Sequence, residues 1–473
     1  MPTEGSSPCS KGMLPPECGR VYGGSPMAKA PAKAAERKAD PILQSLFDVQ
    51  EATLPNGLRV RLLANHQTPV VSLYTFFQVG SRNERPGITG ISHLFEHMMF
   101  NGAKKYGPKK FDKVLESNGG RSNAYTSTDM TVYYEDFASD ALEKVLDLES
   151  DRMRSLRIND NSLTSERQVV MEERRARVDN DITGIMDEEL GTLVWKAHPY
   201  RWPVIGWEKD IENISRQDCE QYFRTYYAPN NAVLYICGDI DPKKTLALVR
   251  RYYGNIPKGP KPQPVLDAEP MQKGERRAEV RHPAQSPALM IAYRGPAARE
   301  QATLVLDIIQ YALAKGEGSR LVKKLVYDTQ LAVSVAVDWG WRLDPGIILF
   351  YLELKPDSDP RKVEEALYAE LARLGTEGLT ERELQKAKNN LRADHLRELA
   401  TNSGRAHAMG HYETLLGSWR DGLTLPAVYS AATNEQVKTV AAKTFIPERR
   451  SVVTLLPAVG LPFGVSADGK DVE

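Results

Sequence analysis

Gly90-Ile91-Ser92-His93-Leu94-Phe95-Glu96-His97-Met98-Met99-Phe100 is an apolar run into which two imidazoles and one carboxylate are set. Its apolar residues from Ile91 to Phe100 fit a buried helix, entered after the break at Gly87–Gly90. A 3.6-residue period puts positions i, i+3 and i+4 on one face, so His93, Glu96 and His97 point the same way. Two His one turn apart can reach a single Zn2+ at roughly 2.0–2.1 Å, and a carboxylate beside them can take a proton from water that the ion acidifies. Glu96 is the natural general base. His407 and His411 share the same spacing, but no carboxylate lies between them and Gly410 weakens a helix there, so that pair is not read as a metal site.

A catalytic zinc takes three protein ligands and keeps one position open, so a further donor must come from another segment. Leu163 to Arg177 reads as a charged helix with Val169 and Val170 inward, and it offers Glu166, Glu172 and Glu173. Glu166 and Glu173 are two turns apart and share a face; Glu172 lies about 100° around the axis from Glu173. One face thus carries a candidate ligand and a candidate supporter.

Outward from these helices, the folded part begins near Phe47. Phe47–Leu54 and Leu58–Leu62 read as short strands around an Asn56-Gly57 turn, followed by a β-rich run over Val70–Val79. Ser122–Ser127 and Thr131–Phe137 form a strand pair about Thr128-Asp129, and Val233–Cys237 is a short buried strand. Five prolines fall between Pro257 and Pro270, a composition that suits an exposed linker. Beyond it come strands at Leu289–Tyr293, Val333–Val337 and Ile347–Leu352, and helices at Ala302–Ala314, from Pro360 and from Thr380. The expected organisation is a flexible tail over 1–45, a zinc-binding catalytic domain over 46–256, a Pro-rich linker over 257–277, a second, degenerate homologous domain over 278–458, and a tail over 459–473. The second half echoes the first: Leu163-Thr164-Ser165-Glu166-Arg167 matches Leu379-Thr380-Glu381-Arg382-Glu383. At that offset His93 and His97 fall on Ile309 and Leu313, and Glu166 and Glu173 on Arg382 and Asn389. Only the first half keeps the chemistry.

Composition removes several alternatives. The 473 residues suffice for two or three domains with sizeable cores. With 62 basic and 62 acidic residues there is no overall field to draw nucleic acid or an anionic membrane, so neither is expected as a partner. Cys9, Cys18, Cys219 and Cys237 are too scattered for a disulfide framework and form no C-x-x-C knuckle. Met1–Asp40 lacks the apolar stretch of about 7–15 residues that a secretory signal requires, so a cytoplasmic location is expected, with a periplasmic one as the alternative if the N-terminus is altered. No run of about 18 apolar residues occurs that would span a membrane.

Gly80-Ser81-Arg82, Gly90 and the stretch His93–Phe100 together resemble the active-site region of the pitrilysin or insulinase-type zinc peptidases, the inverzincins, whose H-x-x-E-H motif reverses the usual zincin order. The resemblance extends from about Phe47 to Pro457. It is strongest to small two-domain subunits such as the β subunit of the mitochondrial processing peptidase and bacterial heterodimeric relatives. It implies an α+β fold of two similar domains, each an antiparallel β-sheet flanked by helices. It also implies Glu173 as the third zinc ligand beside His93 and His97, Glu166 as a residue assisting catalysis, and Asn123 and Ala124 on an open sheet edge as the holders of an extended peptide. The implied activity is that of a zinc metalloendopeptidase in which Glu96 activates water. One departure stands out. Where many members carry an Arg and, seven residues later, a Tyr that grip the substrate carbonyl, this chain has Val326 and Val333, with Tyr327 nearby. A homologous subunit supplying that Arg/Tyr pair is therefore the expected partner, with a homodimer as the alternative. A non-catalytic scaffold subunit of the same family, or a zinc hydrolase acting on something other than peptides, are the competing readings.

Overall fold

The computed structural model describes residues 41–108, 110–266 and 268–458. The expected tails, as far as they cover 1–40 and 459–473, lie outside the described residues. Pro41–Ser45 is a short helix whose Leu43 is buried with Phe47 and Trp419, so the expected N-terminal tail does not extend to residue 45.

Strands β1 (Val49–Thr53), β2 (Arg59–Ala64), β3 (Val70–Phe77), β4 (Arg121–Thr126), β5 (Thr131–Ala138) and β6 (Ala232–Gly238) form the first sheet, in the order β1-β2-β6-β3-β5-β4. The Asn56-Gly57 turn joins β1 to β2, with the Gly57 N–H donating to Leu54 O at 2.8 Å. β3 is hydrophobic on both faces because both faces are covered. Val71, Leu73 and Phe77 enter one core, while Tyr74 and Phe76 enter another on the far side. β4 lies at the sheet's end, paired only with β5.

The second sheet repeats the first. β7 (Arg276–His282), β8 (Ala288–Arg294), β9 (Ala332–Trp339), β10 (Ile347–Leu354) and β11 (Arg450–Pro457) run in the order β7-β11-β8-β10-β9. With β7 set on β2, β11 on β6, β8 on β3, β10 on β5 and β9 on β4, the two orders coincide, and the echo seen in the sequence is a duplicated fold. Each sheet is antiparallel except for one parallel pair, β2 with β6 and β7 with β11. Those pairs join strands far apart in the chain, as a parallel crossover requires.

The halves exchange a helix. Ile182–Val194, from the first half, lays Met186, Leu190 and Val194 on Ala288, Met290, Val453 and Leu455 of the second sheet. Asn402–Leu416, from the second half, lays Ala406 and Met409 on Phe76, Val132 and Tyr235 of the first. Each fully buried Leu, Val or Met is worth ~1.5–3 kcal/mol, so separating the halves would expose a core on both. Gly410 sits where this second helix meets β3, and a Cβ there would lie 2.1 Å from the Phe76 ring. Its lack of a side chain permits the close approach, and packing on the sheet overrides its low helix propensity. The same face is tied by charge: Glu413 accepts from Arg61 Nη2 at 2.9 Å, Arg59 Nη1 at 3.1 Å and the Tyr235 hydroxyl at 2.9 Å. Between Ile256 and β7 the described residues form neither helix nor strand, and Leu266 and Met271 are exposed.

Candidate metal centre

The motif helix runs over Ile91–Met98, and its far face, Ile91, Leu94, Phe95 and Met98, is fully buried. Its first turn is held by a carboxylate: Glu84 accepts from the Gly90 and Ser92 N–H groups, both at 2.8 Å, satisfying donors that a helix start leaves open. Burial pushes the Glu84 carboxyl up to about 8, against the pull of those two N–H groups. Tyr133, from β5, donates its hydroxyl to Phe95 O at 3.1 Å and ties the middle of the helix to the sheet.

The opposing helix, Asp160–Arg174, starts at an Asn159 cap whose side chain accepts from Ser162 N at 3.0 Å. It packs Leu163 and Val170 into the first core. Val169 does not turn inward as expected; it lies 100° around the axis from the buried Val170 and is 46% exposed. The same rotation sorts the carboxylates. Glu172 points to solvent and pairs with Arg175 at 2.7 Å, whereas Glu166 and Glu173 face the motif helix.

His93, His97 and Glu173 bring one donor atom each within 4.8 Å of one another. Glu173 Oε2 stands 3.2 Å from His97 Nε2 and 3.6 Å from His93 Nε2. Ligands placed tetrahedrally at roughly 2.0–2.1 Å from an ion stand about 3.3–3.4 Å apart, so this donor set fits a zinc-type ion. Glu166 Oε2 lies 3.8 Å from His97 Nδ1, the ring nitrogen other than the one that meets Glu173. Burial, and then the neighbouring His97, hold the His93 pKa below its ordinary value, which keeps the imidazole in the neutral form a metal needs. Burial raises the pKa of Glu96, opposed by the Thr126 hydroxyl, which donates to Glu96 Oε2 at 2.7 Å.

That hydrogen bond joins the motif to β4. Asn123 is exposed and Ala124 largely buried on this edge strand, and the Ala124 N–H donates to Asn123 Oδ1 at 2.8 Å. The far face of β4 is pinned from the second half: Tyr125 OH lies 3.1 Å from His407 Nε2, and His407 Nδ1 3.2 Å from Glu398. His407 therefore serves the interface between the halves. A second tie runs through the β4–β5 turn. Asp129 accepts from Tyr200 OH at 2.7 Å and from Leu343 N at 3.1 Å, and Arg82 bonds Asp344, which His198 Nε2 also meets at 3.1 Å. The sequence reading missed these contacts because their partners lie far apart in the chain. In the second half Val326 packs against the second core and Val333 is half exposed on β9, with Tyr327 exposed beside them.

Two duplicated α/β halves with the His and Glu donors confined to the first define the architecture of a known class of peptidase. The sequence profile of the insulinase peptidase family, M16, matches residues 59–206, and that of the M16 inactive domain matches residues 213–391. The zinc protease PqqE of Helicobacter pylori is 32% identical over 369 residues, covering 77% of this chain and 83% of that protein. The chain belongs to the M16 family of peptidases. The crystal structure of a protease from Helicobacter pylori matches with a TM-score of 0.84 at 29% identity, covering 87% of this chain and all of the other. A probable mitochondrial-processing peptidase subunit beta of Arabidopsis thaliana is 22% identical over 429 residues, covering 88% of this chain and 80% of that one.

Proposed function

We propose that this chain is a zinc metalloendopeptidase that cleaves extended peptides docked on β4. The observation that carries the reading is the approach of His93, His97 and Glu173 to one another, with Glu96 on the same helix face and hydrogen-bonded to the edge strand. His93, His97 and Glu173 would hold the ion. Bound there, Zn2+ supplies an acidified water and polarises the scissile carbonyl. Glu96 takes the proton and passes it to the leaving amine, and Thr126 keeps its carboxylate aimed between strand and motif helix. Glu166 orients His97 from behind. Asn123 and Ala124 receive the peptide as an added strand, which places its backbone beside the motif helix.

No side-chain donor for the substrate carbonyl stands at Val326 or Val333, whose aliphatic side chains cannot hydrogen-bond. A homologous subunit bringing an Arg/Tyr pair supplies it in this reading, and the relative whose name includes a subunit designation supports such a pairing. Removing one oxyanion donor commonly costs about 10²–10³ in rate, so the lone chain is expected to be slow and not inert. The test is turnover of unstructured peptides by zinc-loaded protein, alone and with a homologous sister subunit, before and after chelation. Chelator-sensitive cleavage that rises with the sister supports the proposal. No cleavage under either condition would favour the scaffold reading, and full activity of the lone chain would remove the need for a partner.

A further inference from the structure

The helix that carries Glu173 does not end simply. After Arg174 it widens into a π turn, Arg175–Asp179, and this turn is firmly built. The Arg174 guanidinium, nearly buried, donates to Gly206 O at 2.8 Å and to Glu188 at 2.8 Å, and pairs with Asp179 at 3.2 Å across the turn. The start of the next helix lies against the turn so closely that a Cβ on Gly184 would sit 2.2 Å from Arg177 O. The backbone of Arg177 is thereby fixed, while its side chain remains 74% exposed and pairs with Glu173 Oε1 at 2.7 Å. The other oxygen of that carboxylate, Oε2, is the one that faces His93 and His97.

We propose that Arg177 is a positioning residue for Glu173: it holds Oε1, so that Oε2 alone is offered to the metal. The inference rests on the zinc reading of the site. An exposed ion pair adds little to the stability of a fold, so the pair is poorly explained as a structural tie. A carboxylate free to turn must be ordered when the ion binds, whereas one held on its far oxygen enters as a pre-aimed ligand.

The experiment measures zinc affinity by chelator competition, together with urea stability of the metal-free protein, for the wild type and for Arg177→Ala, Arg177→Lys and His93→Ala. Arg177→Ala should bind zinc about 10–100-fold more weakly at unchanged metal-free stability, and Arg177→Lys should recover part of the loss. Wild-type affinity in Arg177→Ala would overturn the inference alone, as would a lysine variant no better than alanine. Wild-type protein binding zinc no more tightly than His93→Ala would overturn the metal reading, and this inference with it.

Discussion

At the offset that sets one half on the other, His93 and His97 of the helix Ile91–Met98 correspond to Ile309 and Leu313 of the helix Gln301–Ala314. Ile309 and Leu313 are completely buried and pack in the second core with Leu384, Ala387 and Leu391 of the helix Glu381–Glu398. Arg382 and Asn389, which the same offset sets on Glu166 and Glu173, face solvent on that helix, because the offset does not bring the helix caps, Asn159 and Thr380, into register. In the first half the equivalent helix pair meets through two imidazoles and two carboxylates, and the helix Asp160–Arg174 gives Leu163, Val170 and Met171 to the first core. One architecture thus closes the same helix–helix seam in two ways. The second half fills it with hydrocarbon and gains stability; the first leaves it polar, at a cost in burial that the proposed ion would offset.

The sharpest way to break this contrast is at Glu96. Glu96→Gln should lower peptide turnover on the order of 10²–10⁴-fold while zinc content stays at wild-type level, since the amide keeps the shape but accepts no proton. Normal turnover would show that the proton goes elsewhere. The contrast between the seams is sharpened by a matched pair of truncations. Leu313→Ala should cost about 2–5 kcal/mol of stability in urea melts yet leave zinc binding intact. His97→Ala should cost the metal-free protein far less than that while abolishing zinc binding, and equal losses from the two would mean that His97 is a core residue. Glu166→Gln should reduce zinc affinity or turnover by roughly 10–100-fold, as loss of a partner behind a ligating imidazole does. A variant indistinguishable from wild type in both would assign Glu166 no part in the site. The smallest effect is expected at the link to β4: Thr126→Val removes one hydrogen bond, worth about 0.5–1.5 kcal/mol, and should slow turnover by roughly 2–10-fold at unchanged zinc content.

Much of the site was legible because it is local. The spacing of His93, Glu96 and His97 fixes their common face, and the two-turn separation of Glu166 from Glu173 does the same on the opposing helix. Periodicity could not choose between Val169 and Val170, which are adjacent, and only the packed structure turns Val170 inward. β7 escaped notice because Arg276-Arg277-Ala278-Glu279-Val280-Arg281-His282 reads as charged coil, and its strand character comes from parallel pairing with β11, far along the chain. The exchanged helices were equally hidden. Nothing in the residues Ile182–Val194 tells which sheet they will cover, and Gly410 argued against a helix that tertiary packing nonetheless imposes. Arg177 was visible in principle, four residues beyond Glu173, but the spacing of an ordinary α-helix gives no sign of the π turn that fixes it.

In the proposed site His93, His97 and Glu173 together hold one zinc ion. The most direct test is the metal content of purified protein by elemental analysis, for the wild type and for His93→Ala, His97→Ala, Glu173→Ala and Glu96→Gln. About one zinc per chain is expected in the wild type and in Glu96→Gln, and essentially none in the three ligand variants, because a three-ligand site tolerates no vacancy. Stoichiometric zinc retained by all three ligand variants, or a wild type that takes up none when zinc is supplied, would contradict the proposed site.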